Sequence, residues 1–175
     1  MNTEIITKFT IATDQGIAAL LYLTQTIARE KYADLLSEKD LEQYLDKYCS
    51  EKALLIEVNS MSNQWLVVYA NNQPAGFARI TSKGERPEEL TQNRVIRIAD
   101  FGTLSAYSNP GIRQSLFDKC CSQCKAYEAA WICEYAENPD IAFFESQGFK
   151  KTAAMTAFNE LPLPAIFLIR LTAAD

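Results

Sequence analysis

The residues best placed to do chemistry sit where an apolar run gives way to a turn. Ser105-Ala106-Tyr107-Ser108-Asn109-Pro110-Gly111 is turn chemistry. It follows the alternating run Val95–Leu104, which reads as a strand, and precedes a helical pattern over Ile112–Ala126. A strand that turns into a helix aims backbone N–H groups at one point, with the positive end of the helix dipole behind them. Such a point is an anion site and suits a pyrophosphate. Pro110 fits just inside a helix start, where its missing N–H is an orphan anyway. Gly111 lets a ligand approach the backbone closely.

Other chemistries are excluded by composition. The chain has no histidine, which removes Ser-His-Asp and Cys-His nucleophiles and histidine-ligated catalytic zinc. Its five cysteines are Cys49, Cys120, Cys121, Cys124 and Cys133. An odd count, with three of them clustered in a helical pattern, is no secreted disulfide framework. Without histidine or a second pair at finger spacing, the cluster is expected to be buried free thiols, with no metal, in a reducing cytoplasm. A net charge of −5 speaks against a nucleic-acid partner and is compatible with a cationic substrate. No basic-then-apolar leader opens the chain and no long uncharged apolar run could cross a bilayer, so a membrane role is not expected. At 175 residues and 48% hydrophobic content, a single domain over 1–175 with one core is the default.

The elements that position the turn follow from periodicity. Ile5 and Lys8–Ala12 alternate enough for a first strand. Thr13-Asp14 caps a helix whose apolar positions include Ile17, Leu20, Leu21 and Ile27, with Tyr32–Leu36 continuing or breaking it. Ser37-Glu38-Lys39-Asp40 caps a second helix through Leu41, Tyr44, Leu45 and Tyr48, and Ser50-Glu51 opens a short third one through Val58. Gln64–Ala70, the turn Asn71–Pro74 and Ala75–Ile80 form a hairpin. Ser82–Asn93, charged and carrying Gly84 and Pro87, is a loop. On the predicted helix Ile112–Ala126, Ile112, Leu116, Cys120 and Cys124 share a face. A short strand follows at Ala129–Cys133, then a helix from Asn138-Pro139 that stops at Gly148. Lys150–Phe158 is a strand, Asn159–Pro164 a turn, and Ala165–Leu171 a closing strand whose apolarity on both faces makes it central or the face of a homodimer.

Three segments in this order resemble the core of GNAT acetyltransferases: Tyr107-Ser-Asn-Pro-Gly-Ile-Arg-Gln-Ser-Leu116, Trp131-Ile-Cys-Glu-Tyr-Ala-Glu-Asn138 and Ala142-Phe-Phe-Glu-Ser-Gln-Gly-Phe149. The resemblance implies the acyl-CoA N-acyltransferase fold, an α/β (α+β) architecture with a mixed central sheet flanked by helices. It implies acetyl-CoA as cosubstrate, its pyrophosphate held by a loop of the form Arg/Gln-x-x-Gly-x-Gly/Ala. The positions that carry over to that site are Thr103, Leu104, Ser108, Gly111, Ile112, Arg113, Gln114 and Ser115, with Asn138 and Phe144 further on.

Departures from the pattern permit two accounts. Ser108 stands where the loop has Arg or Gln, Arg113 replaces the second glycine, and Pro110 has no N–H to offer. Phe144 replaces the tyrosine that in many relatives protonates the departing thiolate. In the first account Arg113 sets a guanidinium near the phosphates, and the chain acetylates a small amine by direct attack. In the second, CoA binds poorly or not at all, and the fold serves as a module for a ligand or a partner protein.

An active enzyme needs a base for the ammonium proton. By position the acids available are Asp100 on the central strand and Glu134 after the next strand. Tyr135 or Tyr107 could replace the missing acid. Tyr32, Tyr44 and Tyr48 are candidate acceptor-pocket residues. The runs Tyr44–Leu54 and Asn59–Tyr69 resemble the bacterial polyamine-acetyltransferase branch, which implies a polyamine or related amine; Pro164-Ala165 stands where that branch has an acid before its last strand.

Overall fold

A computed structural model describes residues 3–158 and 161–172. Its elements, in chain order, are β1 (Ile5–Thr10), α1 (Asp14–Tyr32), α2 (Glu38–Tyr48), α3 (Glu51–Val58), β2 (Asn63–Ala70), β3 (Gln73–Thr81), β4 (Val95–Thr103), α4 (Pro110–Cys124), β5 (Ala129–Tyr135), α5 (Asp140–Ser146), β6 (Lys150–Phe158) and β7 (Leu161–Leu171). The strands hydrogen-bond in the order β1-β2-β3-β4-β5-β7-β6. The sheet is mixed: β4 and β5 are parallel, while β1–β2, β5–β7 and β6–β7 are antiparallel. A parallel pair needs a crossover, which α4 supplies.

The chain divides into two compact units, Met1–Ile80 with Asp100–Ser122, and Thr81–Ala99 with Gln123–Asp175. In the first, each opening helix starts on a hydroxyl cap. Thr13, Ser37 and Ser50 accept from the N–H groups of Gly16, Asp40 and Ala53 at 3.0, 3.1 and 3.3 Å. Each satisfies a donor that the first helical turn leaves orphaned. Ile17, Leu20, Leu23 and Ile27 of α1 pack with Leu54, Trp65, Val67, Phe77 and Leu104 to form the core. The β2–β3 hairpin turns on Asn71 and Asn72, both at positive φ (48° and 63°). That is the two-residue turn whose twist matches the flanking strands, and asparagine tolerates it.

In the second unit β5 is buried along its whole length. It pairs with β4 at Val95↔Ala129, Ile96↔Ala130 and Arg97↔Trp131 and with β7 from Ala129↔Leu171 to Tyr135↔Ala165. The described β4–β5 pairing thus stops at Arg97↔Trp131, although both strands continue. β7 lies between β5 and β6, which accounts for its apolar character without a second copy of the chain. It begins at Leu161, so the turn expected over Asn159–Pro164 is corrected to strand from Leu161 on; Asn159 and Glu160 lie outside the described residues. Gly148, at φ 92°, ends α5 as its position predicted.

Candidate functional site

The end of β4 is packed tightly against its neighbours. The Leu104 N–H donates to the Ala75 carbonyl at 2.9 Å. A Cβ on Gly76 would stand 2.6 Å from the Gly102 carbonyl, and one on Gly102 would stand 2.8 Å from Ile27 Cγ2. Two consecutive α1 residues clasp the strand end. Lys31 Nζ donates to the Phe101 carbonyl at 2.9 Å, and Glu30 accepts from the Ser105 N–H and hydroxyl at 3.0 and 2.8 Å.

The turn then enters α4 on Asn109. Its Oδ1 accepts from the Gly111 N–H at 2.9 Å, and its carbonyl accepts from the Ile112 N–H at 3.1 Å. The amides expected to point at an anion are therefore turned on the side chain and carbonyl of the residue two or three before. The reason is the ordinary competition of a short polar side chain for the orphan donors of a helix start. The first turn of α4 carries no acid, and it carries Arg113. Gln114 Nε2 donates to Asp118 at 2.8 Å, and the Ser115 and Thr7 hydroxyls are 2.8 Å apart. These two side chains line a groove along α4 of about 590 Å³ with Asp118 and Lys119. Ser108 is exposed, and Thr103 is half-buried with its methyl against Gly76.

Deeper in the same unit, a charged cluster surrounds Asp100. Asp100 Oδ2 accepts from Arg79 Nε at 2.6 Å, and Arg79 Nη1 donates to Glu57 Oε2 at 3.0 Å. Asn63 Nδ2 donates to the same Glu57 oxygen at 2.6 Å. Arg79 also lies over the Trp65 ring, 5.5 Å from its centroid. Asp100 beside it, above all, and Glu57 hold the Arg79 guanidinium above its ordinary value, so it is always charged. One oxygen of each carboxylate, Asp100 Oδ1 and Glu57 Oε1, has no partner among the described residues. The three tyrosines form a run of rings: Tyr32 is buried and 5.4 Å from Tyr44, which is 5.1 Å from the exposed Tyr48. Cys49 is buried, and burial pushes its thiol up to about 12.

Sequence reasoning missed Glu30, Lys31, Glu57 and Arg79. Arg79 left a signal, being the single charge in β3. A charge inside an apolar strand needs an opposite charge nearby, and Asp100 is the one acid in β4.

In the second unit Glu134 and Tyr135 belong to β5, which corrects the expectation that the strand ends at Cys133. Glu134 is buried, and its Oε1 accepts from the Tyr135 N–H at 3.2 Å. Burial, and then the charges of Glu134, Asp140 and Glu137, push the Tyr135 phenol up to about 12. It stays protonated across the physiological range. Asn138 is 4% exposed. Its Oδ1 accepts from the N–H of Asp140, the first residue of α5, at 2.8 Å, while Nδ2 is buried with no hydrogen-bond partner. One end of this carboxamide is bonded to the backbone and the other is an unsatisfied donor. Phe144 is fully buried, its ring 5.9 Å from Phe143 and 6.1 Å from Phe149. Its place is in the packing of α5. Among the described residues no group of histidines, cysteines or acids could hold a metal ion, and no helix is long and apolar enough to cross a membrane.

Residues 18–149, which span parts of both units, match the model of the Acetyltransferase (GNAT) family. The chain belongs to the GNAT family. Solved GNAT structures share its fold. A PaiA N-acetyltransferase from Thermoplasma acidophilum, in complex with coenzyme A, superposes with a TM-score of 0.74 at 16% identity, covering 98% of this chain and 99% of that one. A putative GNAT acetyltransferase from Desulfovibrio desulfuricans gives 0.68 at 10% identity over 97% and 100%. The ribosomal-protein-S18-alanine N-acetyltransferase of Escherichia coli gives 0.61 at 14% identity over 97% and 96%. Membership makes acetyl transfer the general chemistry and acetyl-CoA its cosubstrate. The residues present fit that molecule: Asn138 keeps a buried donor in want of an acceptor.

Proposed function

We propose that this GNAT protein moves an acetyl group from acetyl-CoA directly to a small amine. The observation that carries the reading is Asn138 Nδ2, a buried donor without a partner. Leaving such a group unsatisfied costs about 1–3 kcal/mol. The carbonyls of the pantetheine arm are acceptors of the kind it lacks. At the start of α4, Arg113 meets the pyrophosphate, and the Gly111 amide reaches it once the Asn109 side chain yields. Thr103 and the exposed Ser108 complete the contacts of the turn; the Leu104 amide, expected there, is spent on the Ala75 carbonyl.

The thioester brings an activated acyl group, so no covalent enzyme intermediate is needed. The chain's task is to hold the amine, remove its proton and protonate the leaving thiolate. Asp100 holds and deprotonates the amine through its unengaged Oδ1. Two carboxylates to one guanidinium leave the Glu57–Arg79–Asp100 cluster with one net negative charge, which favours an ammonium over a carboxylate. The Tyr32–Tyr44–Tyr48 rings suit the alkyl and cationic parts of a polyamine, the acceptor class implied by the resemblance of Tyr44–Leu54 and Asn59–Tyr69 to the polyamine branch. Tyr135, kept protonated first by its burial and then by Glu134, serves as the proton donor that Phe144 cannot be. The protein is a cytoplasmic, single-domain enzyme in this reading.

A second reading, a GNAT-fold module without turnover, is favoured by the capped Gly111 amide and the buried Phe144. Release of free CoA thiol from acetyl-CoA, measured over a panel of polyamines, amino acids and aminoglycosides, separates the two. Turnover with an amine, reduced about 100-fold or more in kcat/KM by Asp100→Asn, supports the enzyme. No thiol release with any acceptor supports the module.

A further inference from the structure

In the first unit a cleft of about 350 Å³ opens between the start of α1, the tip of the β2–β3 hairpin and the turn after β4. Gln15, Tyr22, Tyr69, Asn72, Gln73 and Tyr107 line it. All six are polar and none is charged. None of their side chains hydrogen-bonds to another described residue; the one recorded polar contact is the Lys8 ammonium 5.4 Å from the Tyr69 ring centroid.

The backbone that presents these side chains is fixed at three places. The hairpin tip is tied to β1 on both sides of Asn71, whose N–H donates to the Glu4 carbonyl and whose Oδ1 accepts from the Glu4 N–H, both at 2.9 Å. The start of α1 is held by the Thr13 cap, 3.0 Å from the Gly16 N–H. Tyr107 is held by its N–H, which donates to the Leu104 carbonyl at 3.1 Å. Tyr69 and Tyr107 pack against the core, and a rim tied in this way, with the polar ends of its side chains unpaired, is preorganised for a ligand.

We propose that this cleft binds a planar, uncharged ring whose edge carries donors and acceptors side by side, a nucleobase-like heterocycle. Phenol rings offer stacking faces that tolerate any flat π-system. Primary carboxamides pair with an edge that sets a donor beside an acceptor. The lack of charge leaves nothing to select a phosphate or an ammonium. The volume lies at the small end of ligand pockets, about 300–1,000 Å³, so it fits one ring system rather than a whole dinucleotide. Such a ring has two sources, a free nucleoside or the adenine end of acetyl-CoA itself.

Titration of the full chain with adenosine and with uridine, followed by saturation-transfer NMR, tests the proposal. Saturable binding is expected, weakened about five-fold or more by Tyr22→Ala and weakened also by Gln73→Ala. Both residues are exposed, and an unchanged melting temperature shows that each variant is folded. Repeating the titration with saturating acetyl-CoA assigns the source: displacement points to the adenine end, and persistence to a free nucleoside. No saturable binding of either nucleoside up to about 10 mM, or binding untouched by both substitutions, overturns the proposal. Neither result bears on acetyl transfer, which is measured by thiol release.

Discussion

Two asparagines differ in what they leave unfinished. Asn109 satisfies a helix start with its own carboxamide, and Asn138 accepts from the Asp140 N–H while keeping a donor in reserve. If the Gly111 amide serves a pyrophosphate, a fixed negative charge at position 109 must oppose it. Asn109→Asp should weaken acetyl-CoA binding by about two- to five-fold, read by calorimetry. Asn109→Ala should lower stability by about 1 kcal/mol through loss of the cap, read by urea unfolding, without weakening acetyl-CoA. Burial raises three further groups in the fold: Cys49 to about 12, Cys133 to about 11 and Tyr135 to about 12. Each favours its neutral form in the folded state, so its contribution is whole below the ordinary value and is lost as pH rises through the folded one. Stability should therefore hold to about pH 9 and fall between about 9 and 12 in urea titrations across pH. Native-state alkylation at pH 8 should reach Cys121 first, because the other four thiols are buried. Sequence showed which residues could react and hid which of them meet. Arg79 and Asp100 are 21 positions apart, and Lys31 and Phe101 are 70 apart; periodicity reports the face a side chain takes, and no more.

Elements were most legible where a local signal had a single physical meaning. The hydroxyls of Thr13, Ser37 and Ser50 each make the cap bond that their positions predicted. Asn71-Asn72 adopts the positive φ values that a two-residue hairpin needs. The failures came where a breaker sits inside an element. Pro162 and Pro164 read as turn, yet they lie in the opening residues of β7, where the register with β6 shifts between Ala157 and Phe158. Proline is tolerated at such irregular points. Glu134 read as lying beyond the end of β5, yet it is a buried polar residue inside it. At this scale the close approach of β3 to β4 is the sharpest constraint. A Cβ at position 76 would meet backbone atoms, the Gly102 carbonyl at 2.6 Å and Thr103 Cα at 3.1 Å. Gly76→Ala should destabilise the fold by about 1–3 kcal/mol, read by thermal unfolding, and should reduce acetyl-CoA binding because it displaces the strand that ends at the turn.

At the scale of the molecule, composition had set the frame: no histidine, no disulfide pattern and a modest negative charge fit a transferase that relies on an activated acyl donor. The strand-turn-helix order of β4 and α4 and the mixed sheet match the architecture that the GNAT resemblance implied. The acceptor end was less legible, because its charges come from α3, β3 and β4, elements far apart in the chain. A ligand that binds only the folded chain raises its melting temperature by mass action, so acetyl-CoA should stabilise the protein to heat while free acetate does not.

The most direct measurement is calorimetric titration of acetyl-CoA into the wild-type chain and into Asn138→Ala. The account predicts saturable binding with a Kd of about 1–100 μM, weakened about ten-fold or more when the buried donor is removed. Absence of binding at millimolar acetyl-CoA, or equal affinity in the variant, would contradict it.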